Sequence, residues 1–190
     1  MLRFFNTLSG RLEEFRPLVE GEVRFYVCGP TVYDYAHIGN FRTMGVFADT
    51  LRRYLKYKGF RLTHVMNITD VEDRIIKFSQ ERGLSLDDYT AKYIDALWED
   101  FDALGCERPE IVPRATRYIP QMVNIIKRLE AKGHAYRSDG SYYYRISSFP
   151  DYGKLSQRDL SELRAGERVE INADKRDPLD FVLWKGAKPG

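Results

Sequence analysis

A thiol, a Gly-Pro turn and a histidine-bearing tetrapeptide follow one another in Val27-Cys28-Gly29-Pro30-Thr31-Val32-Tyr33-Asp34-Tyr35-Ala36-His37-Ile38-Gly39-Asn40. A thiolate is a nucleophile and a soft metal ligand. Histidine beside a helix start can hydrogen-bond phosphate, and the first N–H groups of a helix carry partial positive charge toward the same anion. Glycine allows a ligand to approach the backbone closely. The stretch therefore points to nucleotide chemistry at residues 37–40 and to metal or thiol chemistry at Cys28. Taken alone, each feature has a structural reading as well: Cys28 as a buried thiol, His37 and Asn40 as helix caps, Thr31 and Thr69 as turn formers.

The elements that must position these residues can be read from patterning. Residues 22–27 are rich in β-branched and aromatic side chains and predict a strand. Residues 41–58 predict a helix, because Val46, Phe47, Leu51, Tyr54 and Leu55 recur at helical spacing and Gly59 supplies a stop. Residues 61–67 predict a second strand. Strand, helix, strand over this length is one βαβ unit, so the two strands should run parallel with a right-handed crossover. The second strand ends in Asn67-Ile68-Thr69-Asp70, polar groups at the same end of the sheet as Cys28 and Thr31. Ligands of open α/β sheets bind outside the C-terminal strand ends, so the two ends should face one crevice.

Further on, residues 71–82 predict a short helix, and Ser85 caps another with Asp87 and Asp88 in its first turn. A helix from Thr116 should end near Lys132-Gly133. Two β-rich runs around Asp139-Gly140 predict a hairpin. The run Tyr142-Tyr143-Tyr144 reads as alternating core and surface positions, although such aromatics, like Trp184, could also stack on unpaired RNA bases. A short helical stretch is expected at residues 159–163, and residues 180–184 read as a strand. Asp34, Asp70 and Asp73 read as caps and surface charges rather than as acid–base groups.

Composition sets the class. The chain has 190 residues, 43% of them hydrophobic and 31% charged, which suits one sizeable soluble domain or a domain with an insertion. It contains no apolar run of membrane-spanning length and no signal-peptide pattern at Met1-Leu2-Arg3-Phe4-Phe5, so a cytoplasmic protein without a membrane partner is expected. Two cysteines do not make a disulfide framework, and Cys106 reads as a small buried hydrophobe. A net charge of +2 neither argues for nor excludes an RNA partner.

Cys28-Gly29-Pro30-Thr31-Val32-Tyr33-Asp34 with His37-Ile38-Gly39-Asn40 resembles the signature of the cysteinyl-tRNA synthetases, a class I aminoacyl-tRNA synthetase family. Phe5-Asn6-Thr7-Leu8 with Glu13-Glu14-Phe15, and Asn67 through Asp73, continue the likeness. So do Pro113-Arg114-Ala115-Thr116, Tyr152-Gly153-Lys154-Leu155-Ser156 and Asp174-Lys175-Arg176 through Lys185. Asn40 stands where the archetypal class I motif has a second histidine. The resemblance implies an α/β fold with a Rossmann-like parallel sheet, residues 1–112 forming its first part and 113–190 a connective insertion and the start of the return to the sheet.

The implied activity is ATP-dependent formation of cysteinyl-adenylate and transfer of cysteine to tRNA(Cys), by a cytoplasmic monomer that takes L-cysteine and ATP with Mg. Within it, His37 and Asn40 would be catalytic. Pro30, Thr31, His37, Ile38, Gly39, Asn40 and Thr43 would bind ATP and the adenylate. Gly29, Thr31, Asn67 and Thr69 would hold the amino acid. Cys28 would be one ligand of a catalytic zinc whose other ligands, a second Cys, a His and a Glu, are expected beyond residue 190, so the chain reads as the N-terminal portion of a longer enzyme. Two rivals are a cysteinyl-adenylate-forming amino-sugar ligase of the mycothiol-biosynthesis type and a non-catalytic truncated paralogue acting as a binding module. The first typically carries Thr-Pro-Tyr-Asp where this chain has Thr31-Val32-Tyr33-Asp34.

Overall fold

Strand β3 (Glu22–Val27) and strand β4 (Arg61–Met66) pair in parallel, in register from Glu22 opposite Arg61 to Val27 opposite Met66. The computed structural model in which they lie describes residues 2–157 and 174–187. By contact the chain divides into two units, Arg16–Ile119 and a second made of Met1–Phe15 with Pro120–Gly190. The division falls after Ile119, where 112/113 was expected from sequence, and the first fifteen residues join the later segment. The physical reason lies on the free edge of β4. Val65 bridges to Ile111 and Ile68 to Arg114, both in parallel, while the Met66 N–H donates to the Ile111 carbonyl at 3.1 Å and the Ile68 N–H to that of Pro113 at 2.8 Å. Residues 111–115 thus extend the parallel sheet, with β4 central.

The crossover between β3 and β4 is helical from Ile38 to Tyr57, as α1 (Ile38–Phe41), a π-helical segment (Arg42–Phe47) and α2 (Ala48–Tyr57). The helix expected over 41–58 is present and Gly59 follows it at φ +86°. Of the apolar set read from sequence, Leu55 is buried and Leu51 half-buried, and the rest of the buried stripe is made of other residues. Phe41, Met44, Gly45, Ala48, Arg52 and Leu55 are buried, whereas Val46, Phe47 and Tyr54 are 48%, 61% and 44% exposed. The buried positions keep a three- and four-residue spacing through the π-helical segment and form a face beside the one read from sequence. Helices α3 (Asp73–Glu81) and α4 (Leu86–Ala103) follow, with Glu72 accepting from the Arg74 N–H and Ser85 from the Asp88 N–H. Tyr89, Tyr93, Leu97 and Phe101, at four-residue spacing on α4, complete a core with Val32, Phe41, Met44, Met66, Ile68, Ile75 and Cys106. Cys106 is buried as expected. Among the described residues no helix is long and apolar enough to cross a membrane.

Two charged groups of this unit, Arg52 and Asp70, are buried against partners that stay partly exposed. Arg52 on α2 donates to Glu107 at 2.7 Å and to both carboxylate oxygens of Glu110, which also accepts the His64 N–H at 2.8 Å. Asp70 is fully buried and is neither cap nor surface charge. It accepts from the Thr116 N–H at 2.9 Å, the Thr116 hydroxyl at 2.6 Å and Arg114 Nε at 2.8 Å. Burial raises the Asp70 pKa, but these donors outweigh it and hold the carboxyl below its ordinary value.

In the other unit, β1 (Arg3–Asn6) and β2 (Arg11–Glu14) form an antiparallel hairpin that patterning did not indicate. Helix α5 (Ile119–Ala131) leads into an antiparallel sheet of β5 (Ala135–Ser138), β6 (Ser141–Tyr144) and β7 (Phe181–Trp184). Asp139 and Gly140, at φ 41° and 74°, make the expected tight turn. Tyr143 is buried and Tyr142 and Tyr144 are half-buried, the alternation expected of a strand. Asp180, buried, accepts from the Tyr136 hydroxyl at 2.8 Å and the Ile146 N–H at 3.0 Å. The helix expected at residues 159–163 lies outside the described residues.

The fold predicts how stability depends on pH. The His64 ring is buried against Phe25, 4.3 Å between centroids, and neither ring nitrogen has a hydrogen-bond partner among the described residues. Burial, then the Arg52 charge, lower its pKa against the opposing pull of Glu110 and Asp49. The unfolded imidazole takes up a proton as pH falls through 6.5 and the folded one resists, so stability declines as pH falls below that value. Glu107 acts lower down: hydrogen bonds from Arg52 and Lys56 hold it at about 2, so its contribution is lost between 4.5 and about 2. His64→Leu should flatten the dependence between about pH 7 and pH 5 and add about 1 kcal/mol at neutral pH, read by urea unfolding. A slope unchanged in the variant would assign the pH dependence elsewhere.

Candidate functional site

Beyond the ends of β3 and β4 the two chains stay together. Thr31 bridges Thr69 in parallel, the Val32 N–H donates to the Thr69 carbonyl at 3.1 Å, and the Thr69 N–H donates to the Pro30 carbonyl at 3.0 Å. This is the crevice expected from the βαβ reading. Its polar floor is the Asn67 carboxamide. Asn67 Oδ1 accepts the Gly29 N–H at 3.0 Å and the Tyr26 hydroxyl at 2.6 Å, and Asn67 Nδ2 donates to Thr69 Oγ1 at 3.1 Å. The strand ends approach so closely at Gly29 that an added Cβ would lie 1.6 Å from the Asn67 carbonyl oxygen. Only glycine fits there.

His37 and Asn40 form a reciprocal cap on α1. His37 Nδ1 accepts the Gly39 N–H at 3.0 Å and Asn40 Oδ1 accepts the His37 N–H at 3.0 Å. With Nδ1 accepting, the neutral ring carries its proton on Nε2 and keeps that donor available. Both side chains are exposed. The cap and the ligand-binding readings are thus compatible: one ring nitrogen holds the helix start and the other has no partner among the described residues. Gly39 belongs to the same device, since an added Cβ would stand 2.8 Å from His37 Cε1 and 2.9 Å from Nδ1.

A cavity of about 210 Å³ opens beside this cap, lined by Pro30, Thr31, His37 and Asn40 among the residues singled out from sequence, and by Tyr93 and Leu97 from α4. Patterning gave no functional role to Tyr93 and Leu97. The visible signal was the four-residue repeat on α4, which marks a core stripe and does not say that its edge reaches a cavity. Ile38, 71% exposed, and Thr43, on the π-helical segment, do not line this cavity, and Gly29, Asn67 and Thr69 form the adjoining strand-end clamp.

Cys28 follows β3 directly and its side chain is exposed. Burial first, and Cys28 second, raise the pKa of the Tyr26 hydroxyl. Among the described residues, no group of three or more His, Cys, Asp or Glu side chains stands together to hold a metal ion. A structural or catalytic zinc needs at least three protein donors, so the residues around Cys28 do not by themselves make a zinc site.

The profile of the family described as tRNA synthetases class I (C) catalytic domain matches residues 14–190. The cysteine–tRNA ligase of Koribacter versatilis (strain Ellin345) is 52% identical over 191 residues, which cover all of this chain and 38% of that protein. Those of Burkholderia mallei (strain SAVP1) and Paraburkholderia xenovorans (strain LB400) are 52% and 54% identical over 189 residues, 99% of this chain and 40% of each relative. The chain therefore spans about two fifths of the length of these relatives. A crystal structure described as an arginyl tRNA synthetase from Campylobacter jejuni superposes with a TM-score of 0.51 over 69% of this chain and 39% of that one, at 13% identity, which speaks to the fold alone.

Gly29→Ala should separate the strand ends, lower stability by at least about 2 kcal/mol and abolish ligand binding in the crevice. Gly39→Ala should displace the His37 ring and cost about 1 kcal/mol, the worth of a helix cap. Thermal unfolding of both variants checks this. Wild-type stability in Gly29→Ala would mean that the close approach is absent.

Proposed function

Because the chain belongs to the class I (C) tRNA synthetase catalytic-domain family, we propose that its crevice activates L-cysteine with ATP and that the protein passes the cysteine to tRNA(Cys), working in the cytoplasm as a monomer. The observation that supports this reading is the meeting of residues 28–31 and 67–70 directly beside the His37–Asn40 cap. Activation joins a carboxylate oxygen of cysteine to the α-phosphorus of ATP, delivered as its Mg complex, and expels pyrophosphate. No proton leaves the attacking carboxylate, so the step needs no protein base. It needs the two reactants held in line and the shifting phosphate charge met by fixed donors.

The residues divide accordingly. His37 Nε2–H and the Asn40 amide are donors for the phosphate, held at the crevice by their mutual cap. Pro30 and Thr31 wall the adjoining cavity, and Gly39 keeps the backbone bare where a side chain would strike His37. Gly29 and Thr69 face the amino-acid side of the same crevice, ordered by Asn67. Cys28 supplies one donor toward a zinc ion in this reading, and nothing in the sequence of events above depends on it.

Exchange of labelled pyrophosphate into ATP should depend on cysteine, and serine should not replace it. His37→Ala should lower that exchange about a hundredfold, a far larger effect than the loss of a helix cap would have on the folded fraction. Exchange that ignores cysteine, or a His37→Ala protein at wild-type rate, would overturn the proposal.

A further inference from the structure

We propose that Tyr26 is a positioning residue for this crevice: its hydroxyl fixes the Asn67 carboxamide, and through it sets the Gly29 N–H and the Thr69 hydroxyl in one arrangement. The inference deepens the cysteine-activating reading and rests on it for its substrate. Tyr26 is a β3 residue, 57% exposed, so it does not serve the core. What holds it is polar. Its single hydroxyl proton goes to Asn67 Oδ1 at 2.6 Å.

The bond directions then follow in order. Asn67 Oδ1 takes two donors, the Tyr26 hydroxyl and the Gly29 N–H, which use both of its lone pairs. The carboxamide cannot flip without facing the Tyr26 O–H and the Gly29 N–H with its own NH2 group. Asn67 Nδ2 therefore points to Thr69 and donates to Thr69 Oγ1 at 3.1 Å. With that lone pair engaged, the Thr69 hydroxyl keeps its proton and one lone pair to meet a ligand. The crevice at Thr69 thus presents a donor that suits an acceptor on the ligand, such as a carboxylate or acyl-phosphate oxygen. Asn67 itself has one N–H and no oxygen lone pair left to offer, so its part is orientation.

Tyr26→Phe removes one oxygen atom from an exposed side chain and leaves the ring, so the variant should fold. Its Gly29 amide should exchange with solvent about tenfold faster, the worth of one hydrogen bond, while core amides of β4 keep their protection. In cysteine-dependent pyrophosphate exchange its KM for cysteine should rise about tenfold, with KM for ATP within about twofold of wild type. Asn67→Asp keeps both bonds to the oxygen and reverses the one to Thr69, whose hydroxyl then donates its proton to the carboxylate and no longer to a ligand. Its Gly29 amide should stay protected while its KM for cysteine rises. Unchanged Gly29 exchange in Tyr26→Phe, a uniform rise across all amides, or faster Gly29 exchange with an unmoved KM for cysteine would each overturn the positioning role. A wild-type protein without cysteine-dependent exchange would sink the functional reading, and Gly29 exchange alone would then decide whether the clamp exists.

Discussion

Two parallel strands normally diverge where their hydrogen-bond ladder ends, and here they do not. The Asn67 carboxamide carries the pairing of β3 and β4 on to Gly29, and the ladder resumes at Thr31 and Thr69. This continuation is possible because Gly29 has no side chain at the one point where the chains nearly touch. Everything at the crevice inherits its position from that contact. Thr31 and Thr69 are held across from each other, and the chain leaving Thr31 reaches His37 in the orientation that starts a helix. A small set of polar groups thus faces one opening without any of them lying in a mobile tail.

Behind the crevice, the sheet is anchored by two buried charges, each held by partners that still reach solvent. Asp70, one residue past Thr69, is fully buried and satisfied by Arg114 and Thr116. Those two residues sit at the end of the segment that pairs with β4, so one carboxylate ties the crevice strand to its neighbour. Removing one partner of such a group strands a buried charge, which is far costlier than losing an exposed pair. Arg52 does the same on the crossover helix, joining it to Glu107 and Glu110, whose carboxylate also receives the His64 N–H. Strand ends, crossover helix and the third strand-like segment are therefore locked by charge-assisted bonds at two places as well as by the apolar core.

The βαβ unit was legible in the sequence because its strands carry β-branched and aromatic residues and its helix has a clean glycine stop. The convergence of Cys28, Thr31 and Thr69 followed from that unit by the general rule for strand ends. Other features were not legible for identifiable reasons. The crossover helix turns Val46, Phe47 and Tyr54 to solvent and buries Gly45 and Arg52, the latter because its partners Glu107 and Glu110 lie 55 and 58 residues away, which no local pattern shows. Asp70 looked like a surface charge, since its partners lie 44 and 46 residues away. Tyr26 looked like any strand tyrosine, because its hydroxyl partner Asn67 is 41 residues distant. Pro113-Arg114-Ala115-Thr116 resembled a known segment, yet nothing local said that it would join the parallel sheet. Patterning reports what a residue does to its own element; it is silent about bonds between elements.

The most direct test of this account is a crystal structure of the protein with a non-hydrolysable cysteinyl-adenylate analogue. The account predicts the analogue in the crevice, its acyl-phosphate oxygen on the Thr69 hydroxyl and its phosphate beside His37 Nε2. The Gly29–Asn67 and Tyr26–Asn67 bonds should be in place as they are in the free protein. An analogue bound away from residues 28–40 and 67–69, or one whose binding requires Asn67 to let go of Gly29, would contradict it.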